Sequence, residues 1–118
     1  MMRYMMLIHH DEAALAAAPQ QQLWQDYAAF NEALTKANGE SGIRLEPSSK
    51  ATTVRMRMDN TEVLDGPHID AKEQLAGYFF VDAETPEDAV AWAKRCPSSR
   101  YGSIEIRPVY IPPAGGWK

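Results

Sequence analysis

Two uninterrupted apolar runs constrain the fold of this chain more than any other feature. Residues 5–8 (Met-Met-Leu-Ile) and residues 77–81 (Gly-Tyr-Phe-Phe-Val) contain no charged side chain. Short runs without alternation are typical of strands that are buried on both faces, as in the middle of a sheet. Neither run approaches the ~20 residues that a membrane-spanning helix needs. The sequence therefore predicts a sheet with these two segments as central strands, and no membrane association.

Periodicity and capping residues predict two helices. Between residues 20 and 38 apolar side chains recur every three or four positions, which places them on one helical face, and an Asn-Gly stop signal follows. Thr85 and Pro86 are typical of a helix start, and acidic residues come directly after them. This second helix is expected to end near Cys96, which falls on its apolar side and should therefore be unreactive.

Alternation of polar and apolar residues predicts the shorter strands. These are expected at residues 41–45, 52–58, 62–64 and 103–109, with the middle two forming a hairpin about a turn at residues 59–60. On the hairpin, Met56 and Met58 are expected to face the core. Residues 70–74 are expected to form one helical turn, and residues 11–18 a loop or a loose helix.

The order of these elements defines the expected architecture. A strand, a helix, a strand, an inserted hairpin, a strand, a helix and a strand make the split βαβ pattern of an α+β, ferredoxin-like fold. Two helices cover only one face of such a sheet, so the other face must be solvated, form a pocket or pack on a partner. Because several of its outward residues are apolar, we expect a homodimer through this open sheet face. Trp117, in the extended tail at residues 110–118, is a candidate contact with the partner.

Length and charge narrow the class of protein further. The 118 residues are enough for one domain, which we expect to span residues 1–118. The formal net charge of −4 argues against a nucleic-acid partner. One cysteine cannot form an internal disulfide, which argues against a secreted scaffold. We therefore expect a cytoplasmic protein.

One segment resembles a known family. Asp65-Gly-Pro-His68 followed by Lys72-Glu-Gln-Leu75 resembles the signature of the DGPF branch of the YCII-related family, and residues 3–8, 52–55, 89–93 and 103–108 also resemble it. The family is similar to the dimeric α+β barrels, so the resemblance implies such a barrel here. The chain departs from the pattern where His68 replaces the usual Phe and Asp70 the usual Glu.

The resemblance also implies two kinds of function. Related YCII members are thought to be enzymes that use a His–Asp pair in a cleft. Relatives of the DGPF branch occur beside, or fused to, alternative sigma factors. The resemblance therefore implies either a small enzyme or a module that acts with a protein partner.

Three residues are candidates for acid–base catalysis. Asp65 and His68 lie three positions apart across a Gly-Pro turn, and a carboxylate beside an imidazole fixes its tautomer and suits it to proton transfer. The alternative is that Asp65 caps the turn and His68 is solvated. His9, at the end of the first central strand, is the other candidate base, or else a surface histidine. His10 and Asp11 are expected to face solvent.

Three further residues are candidates for substrate binding. Arg55 could receive a carboxylate or phenolate by charge-assisted hydrogen bonds, whereas a solvated or interface face is the alternative. Lys72 and Glu73, in the signature, could anchor the loop or orient a substrate, or form a surface ion pair. No metal is expected, because adjacent histidines point to opposite sides of an extended chain and no zinc-type spacing occurs.

Together these features predict a small enzyme-like pocket that needs no cofactor. It would carry out acid–base chemistry, an isomerisation or an elimination, on a small cyclic or unsaturated acid. The alternative is a non-catalytic ligand-binding or regulatory module that acts with a protein partner such as a sigma factor. A purely structural subunit is the third possibility.

Overall fold

The computed structural model describes residues 1–114; Trp117 and its three neighbours lie outside the described residues. The strands are β1 (Met2–Asp11), β2 (Thr52–Arg57), β3 (Asn60–Asp65), β4 (Glu73–Ala83) and β5 (Gly102–Pro108). The α-helices are α1 (Glu12–Ala16), α2 (Gln20–Lys36) and α3 (Pro86–Arg95), with 3₁₀ turns at Ser48–Lys50 and Pro97–Arg100. No helix among residues 1–114 is long and apolar enough to span a membrane.

The main sheet has β1 at its centre and is antiparallel throughout. β4 and β5 flank β1, and residues 40–45 run along the far edge of β4 through isolated bridges at Glu40–Phe80 and Arg44–Gly77. The order of the four segments is that of a ferredoxin-like α+β fold, so the predicted fold class is confirmed. The strand predicted at residues 41–45 is not a regular strand, because its two bridges are out of register with β4 by one residue.

The core lies between the sheet and the two longer helices. Alternate residues of the central strands face the helices, and the most buried apolar ones are Tyr4, Met6, Ile8, Phe79, Val81 and Ala83. Phe30 of α2 makes edge-to-face contacts with Phe79 of β4 and Trp92 of α3, at centroid distances of 5.2 and 6.0 Å. The predicted start of α3 is confirmed, since the Thr85 hydroxyl accepts a hydrogen bond from the Asp88 amide.

The hairpin β2–β3 stands apart from the main sheet as a separate two-stranded sheet. Met56 is 65% exposed and Met58 97% exposed, so the prediction that they face the core is wrong. The turn is formed by Met58 and Asp59, both with positive φ, which is one residue earlier than predicted. With the hairpin extended, the radius of gyration is 16.6 Å, against about 13–14 Å for a compact domain of this length.

The link between the hairpin and β4 also differs from expectation. The helical turn predicted at residues 70–74 is absent, because Glu73 already begins β4. The Gln74 side-chain amide instead donates to the carbonyl oxygens of Ile69 and Ala71, at 2.9 and 2.8 Å. These side-chain hydrogen bonds hold residues 69–71 against the start of β4.

Candidate functional site

The sheet face away from the helices carries a polar cluster at the end of β1. His9 lies between Leu75 of β4 and Ser103 of β5 in the strand register. A β-bulge between Ile8 and His9 interrupts the pairing with β4 at this point. Bulges re-aim side chains and are common beside functional sites.

A carboxylate lies within reach of the His9 ring. Nε2 of His9 is 3.3 Å from Oε1 of Glu105, the residue of β5 that pairs with Leu7. A proton on Nε2 would therefore be donated to the carboxylate, which leaves Nδ1 as the unprotonated nitrogen. This is the geometry expected of an acid–base histidine, but its carboxylate is Glu105 and not Asp65.

Glu73 belongs to the same cluster. Its Oε1 accepts a hydrogen bond from the Ser103 hydroxyl at 2.6 Å, so the start of β4 is tied to β5 across β1. His9 and Glu73 both line a groove of about 930 Å³, called the hairpin groove here. Its other lining residues come from residues 45–54 and from residues 67–75, with His68 among them. This volume is within the range of small-molecule sites.

The signature turn closes the base of the hairpin. Gly66 has a φ of +104°, its amide donates to the Ala51 carbonyl at 2.8 Å, and its own carbonyl accepts from the Thr53 hydroxyl at 2.9 Å. Asp65 is exposed at the end of β3 and does not line the groove. Among residues 1–114 no hydrogen bond or ion pair joins Asp65 to His68, although His68 reaches the groove.

Arg55 and Lys72 lie outside the hairpin groove. Nε of Arg55 is 3.7 Å from the Glu62 carboxylate across the hairpin, and the ammonium of Lys72 is 3.7 Å from the Asp11 carboxylate. Surface ion pairs of this kind contribute about 0–1 kcal/mol. Lys50 is the basic residue that lines the groove, with its ammonium 3.9 Å from the Glu46 carboxylate.

The sequence interpretation missed a second cluster, on the helix side of the sheet. His10 is only 5% exposed, so the expectation that it faces solvent is wrong. Its Nε2 is hydrogen-bonded to the Ser98 hydroxyl at 2.6 Å, and Ser98 is hydrogen-bonded in turn to the Tyr27 hydroxyl. Burial lowers the pKa of His10, the positive charge of Arg44 lowers it further, and Glu12 opposes them.

Burial governs the other groups of this second cluster. It raises the pKa of the Tyr27 phenol and that of the Cys96 thiol. Sγ of Cys96 lies 3.5 Å from the Tyr27 hydroxyl. A thiol with a raised pKa stays protonated near neutral pH, in agreement with the prediction that Cys96 is unreactive.

The sequence contained a signal for one of the missed residues. Strand alternation places His10 on the same face as Met6 and Ile8, which are buried. Glu105 had no such signal, because its contact with His9 depends on the register between strands at opposite ends of the chain. In residues 1–114 no three His, Cys, Asp or Glu side chains are grouped so that they could hold a metal ion.

A ferredoxin-like sheet with helices on one face, and on the other a groove lined by a histidine that contacts a carboxylate, defines a small α+β protein with a candidate acid–base site. The chain belongs to the YCII-related family, since the model of the YCII-related domain matches residues 2–112. An uncharacterised protein of Rhizobium meliloti (strain 1021) is 30% identical over 117 residues, and the match covers 93% of this chain and 94% of the relative.

Proposed function

We propose that this protein is an enzyme of the DGPF branch of the YCII family that needs no cofactor and uses His9 as a general base in the hairpin groove. The observation that carries the proposal is the contact between Nε2 of His9 and Glu105. The substrate class is a small cyclic or unsaturated acid, and the reaction is an isomerisation or an elimination.

The proposed isomerisation moves one proton between two carbon atoms and needs no co-reactant. Nδ1 of His9 takes a proton from a carbon next to the unsaturated group, and the electron pair of the C–H bond moves into the conjugated system. Glu105 stabilises the imidazolium that forms, because a charge-assisted hydrogen bond is stronger than a neutral one. The same proton, or one delivered from His68 in the groove, is then added at another carbon. Lys50 is the candidate partner for the substrate carboxylate.

We further propose that the protein works as a homodimer through the open sheet face. An isolated two-stranded hairpin is only marginally stable in water. The hairpin carries exposed apolar residues, including Val54 and Val63, which face each other across β2 and β3. A second copy of the chain that packed against the hairpin and the open face would bury these residues.

Deuterium exchange tests the catalytic proposal before the substrate is known. But-3-enoate, but-2-enoate and a simple unsaturated γ-lactone are incubated with the protein in D₂O, and loss of their carbon-bound protons is followed by ¹H NMR. We expect exchange with the wild type and its loss in His9→Gln, since general bases contribute about 10²–10⁴-fold to rate. Asp65→Asn, outside the groove, is the matched control and should retain exchange. Equal exchange in wild type and His9→Gln, or none in either, would overturn the proposal.

The regulatory alternative has its own supporting observation. Asp65 and His68 are both exposed, and the signature turn is free to contact a protein. If the turn binds a sigma factor, Asp65→Asn combined with His68→Ala weakens that complex, and His9→Gln leaves it intact. Pull-down with the partner sigma factor therefore separates this function from catalysis in the hairpin groove.

A further inference from the structure

A second cavity lies on the helix side of the sheet, opposite the hairpin groove. It has a volume of about 270 Å³, just below the usual range of about 300–1,000 Å³ for small-molecule sites. Most of its wall is apolar, and its buried apolar lining residues are Ile8, Leu15, Leu23, Phe30 and Phe79. His10, Tyr27 and Arg44 supply polar groups to the same wall. An apolar chamber with a few convergent polar groups is the usual form of a ligand site.

The two nitrogens of the His10 ring differ in their hydrogen bonding. Nε2 is hydrogen-bonded to the Ser98 hydroxyl, which is hydrogen-bonded to the Tyr27 hydroxyl. Nδ1 has no hydrogen-bond partner among residues 1–114. It is accessible to solvent. Nδ1 is therefore available to form a hydrogen bond with a ligand.

Arg44 is a cation without a counter-ion at this cavity. Among residues 1–114 its guanidinium makes no ion pair. Its positive charge contributes to the lowered pKa of His10. The carboxylate of Glu12, the nearby acid, instead accepts hydrogen bonds from the amide and the hydroxyl of Ser48, at 2.8 and 2.6 Å. An unpaired guanidinium beside an apolar chamber is suited to bind a carboxylate in bidentate fashion.

We propose that this helix-side cavity binds a small monocarboxylate with an aromatic or branched aliphatic body. The carboxylate pairs with Arg44 and accepts a hydrogen bond from Nδ1 of His10. The apolar body of the ligand occupies the chamber. The site shares no lining residue with the hairpin groove and does not depend on the catalytic proposal.

Benzoate is the probe for the test, and its neutral analogue benzamide is the ligand control. Binding to the full chain is measured by titration calorimetry, and histidine ring resonances are followed by NMR. We expect millimolar or tighter binding of benzoate and a shift of the His10 resonances with no shift for His9. Arg44→Gln should weaken benzoate binding about tenfold or more, because a charge-assisted bidentate contact is lost. Benzamide should bind equally weakly to both proteins.

The matched control is Arg57→Gln, an exposed arginine on the distant hairpin, which should bind benzoate as the wild type does. Equal benzoate affinity in the wild type and Arg44→Gln, perturbation of His9 in place of His10, or no binding at millimolar concentrations would each overturn the inference. His9→Gln should bind benzoate normally. Failure of proton exchange in the hairpin groove would therefore leave this inference standing.

Discussion

His10 gives the stability of the fold a defined dependence on pH. Its pKa is lowered in the folded state, so between that pKa and the ordinary value of 6.5 the unfolded chain binds more protons than the folded one. Stability is therefore greatest above 6.5 and falls as the pH is lowered through 6.5 towards the folded pKa. Urea unfolding of the wild type should show this fall, whereas His10→Gln should show a flatter profile over the same range.

His10→Asn serves as the second variant for this experiment, because it removes the same imidazole and should flatten the profile as His10→Gln does. Hydrogen bonds from Ser48 lower the pKa of Glu12 below its ordinary value of 4.5, so Glu12 stays ionised near pH 6.5 and does not contribute to the fall in stability there. A slope in His10→Gln equal to that of the wild type would mean that His10 does not cause it.

Glu105 is expected to assist His9 without replacing it. Glu105→Gln keeps an oxygen that can accept from Nε2 but removes the negative charge that stabilises the imidazolium. The rate of deuterium exchange should therefore fall to a value between those of the wild type and His9→Gln. Arg107→Gln removes the cation 3.8 Å from the same carboxylate and should change the rate less. A Glu105→Gln rate equal to the wild-type rate would exclude a catalytic role for the charge.

At the level of elements, the edge segment at residues 40–45 depends on the absence of a side chain at Gly42. A Cβ atom there would lie 1.7 Å from the carbonyl oxygen of Tyr78, which belongs to the backbone of β4. Gly42→Ala should therefore separate the segment from β4 and destabilise the fold by about 1–3 kcal/mol, as overpacking does. Urea unfolding measures the loss.

Amide exchange locates the effect of this substitution. The amides of Tyr78 and Phe80 donate to the carbonyls of Ile43 and Glu40, so both should exchange faster in Gly42→Ala. Ser41→Ala changes an exposed neighbour and should leave their protection unchanged. Unaltered protection in Gly42→Ala would show that the segment tolerates a side chain at this position.

The hairpin turn offers a stabilising change. Met58 and Asp59 have φ values of 49° and 67°, a conformation that Asn and Gly adopt more readily. Asp59→Gly should stabilise the hairpin, because relief of the left-handed conformation, about 1–2 kcal/mol for a residue with a side chain, exceeds the roughly 0.5–1 kcal/mol that glycine loses in conformational freedom. NMR chemical shifts of β2 and β3 report the hairpin population. A lower population would mean that Asp59 contributes contacts that outweigh the strain.

For the whole molecule, the decisive quantity is the mass in solution. If the hairpin and the open face pack on a second copy, light scattering should give twice the mass of one chain. Val63→Lys places a charge on the exposed apolar side of the hairpin and should shift the protein towards the monomer. Val90→Lys, on the exposed side of α3, is the matched control and should remain a dimer. A wild type with the mass of a single chain would contradict the dimer.

Local patterns predicted the parts of the fold that depend on neighbours in the chain. The capped start of α3, the periodicity of α2 and the two apolar runs each act within a few residues, and all are found. The exposure of Met56 could not be predicted, because alternation does not say whether a hairpin lies on the core or projects from it. The contact of His9 with Glu105 joins strands at opposite ends of the chain, and only the strand register brings these residues together.

The position of the two neighbouring histidines on β1 has a consequence for how this chain can evolve. A strand turns successive side chains to opposite sides, so a slip of β1 by one residue against β4 and β5 would exchange the positions of His9 and His10. The same slip would bring Tyr4, Met6 and Ile8 out of the core. Selection for a buried core therefore also keeps each histidine on its own face of the sheet. Each site can then change by substitution without moving the other.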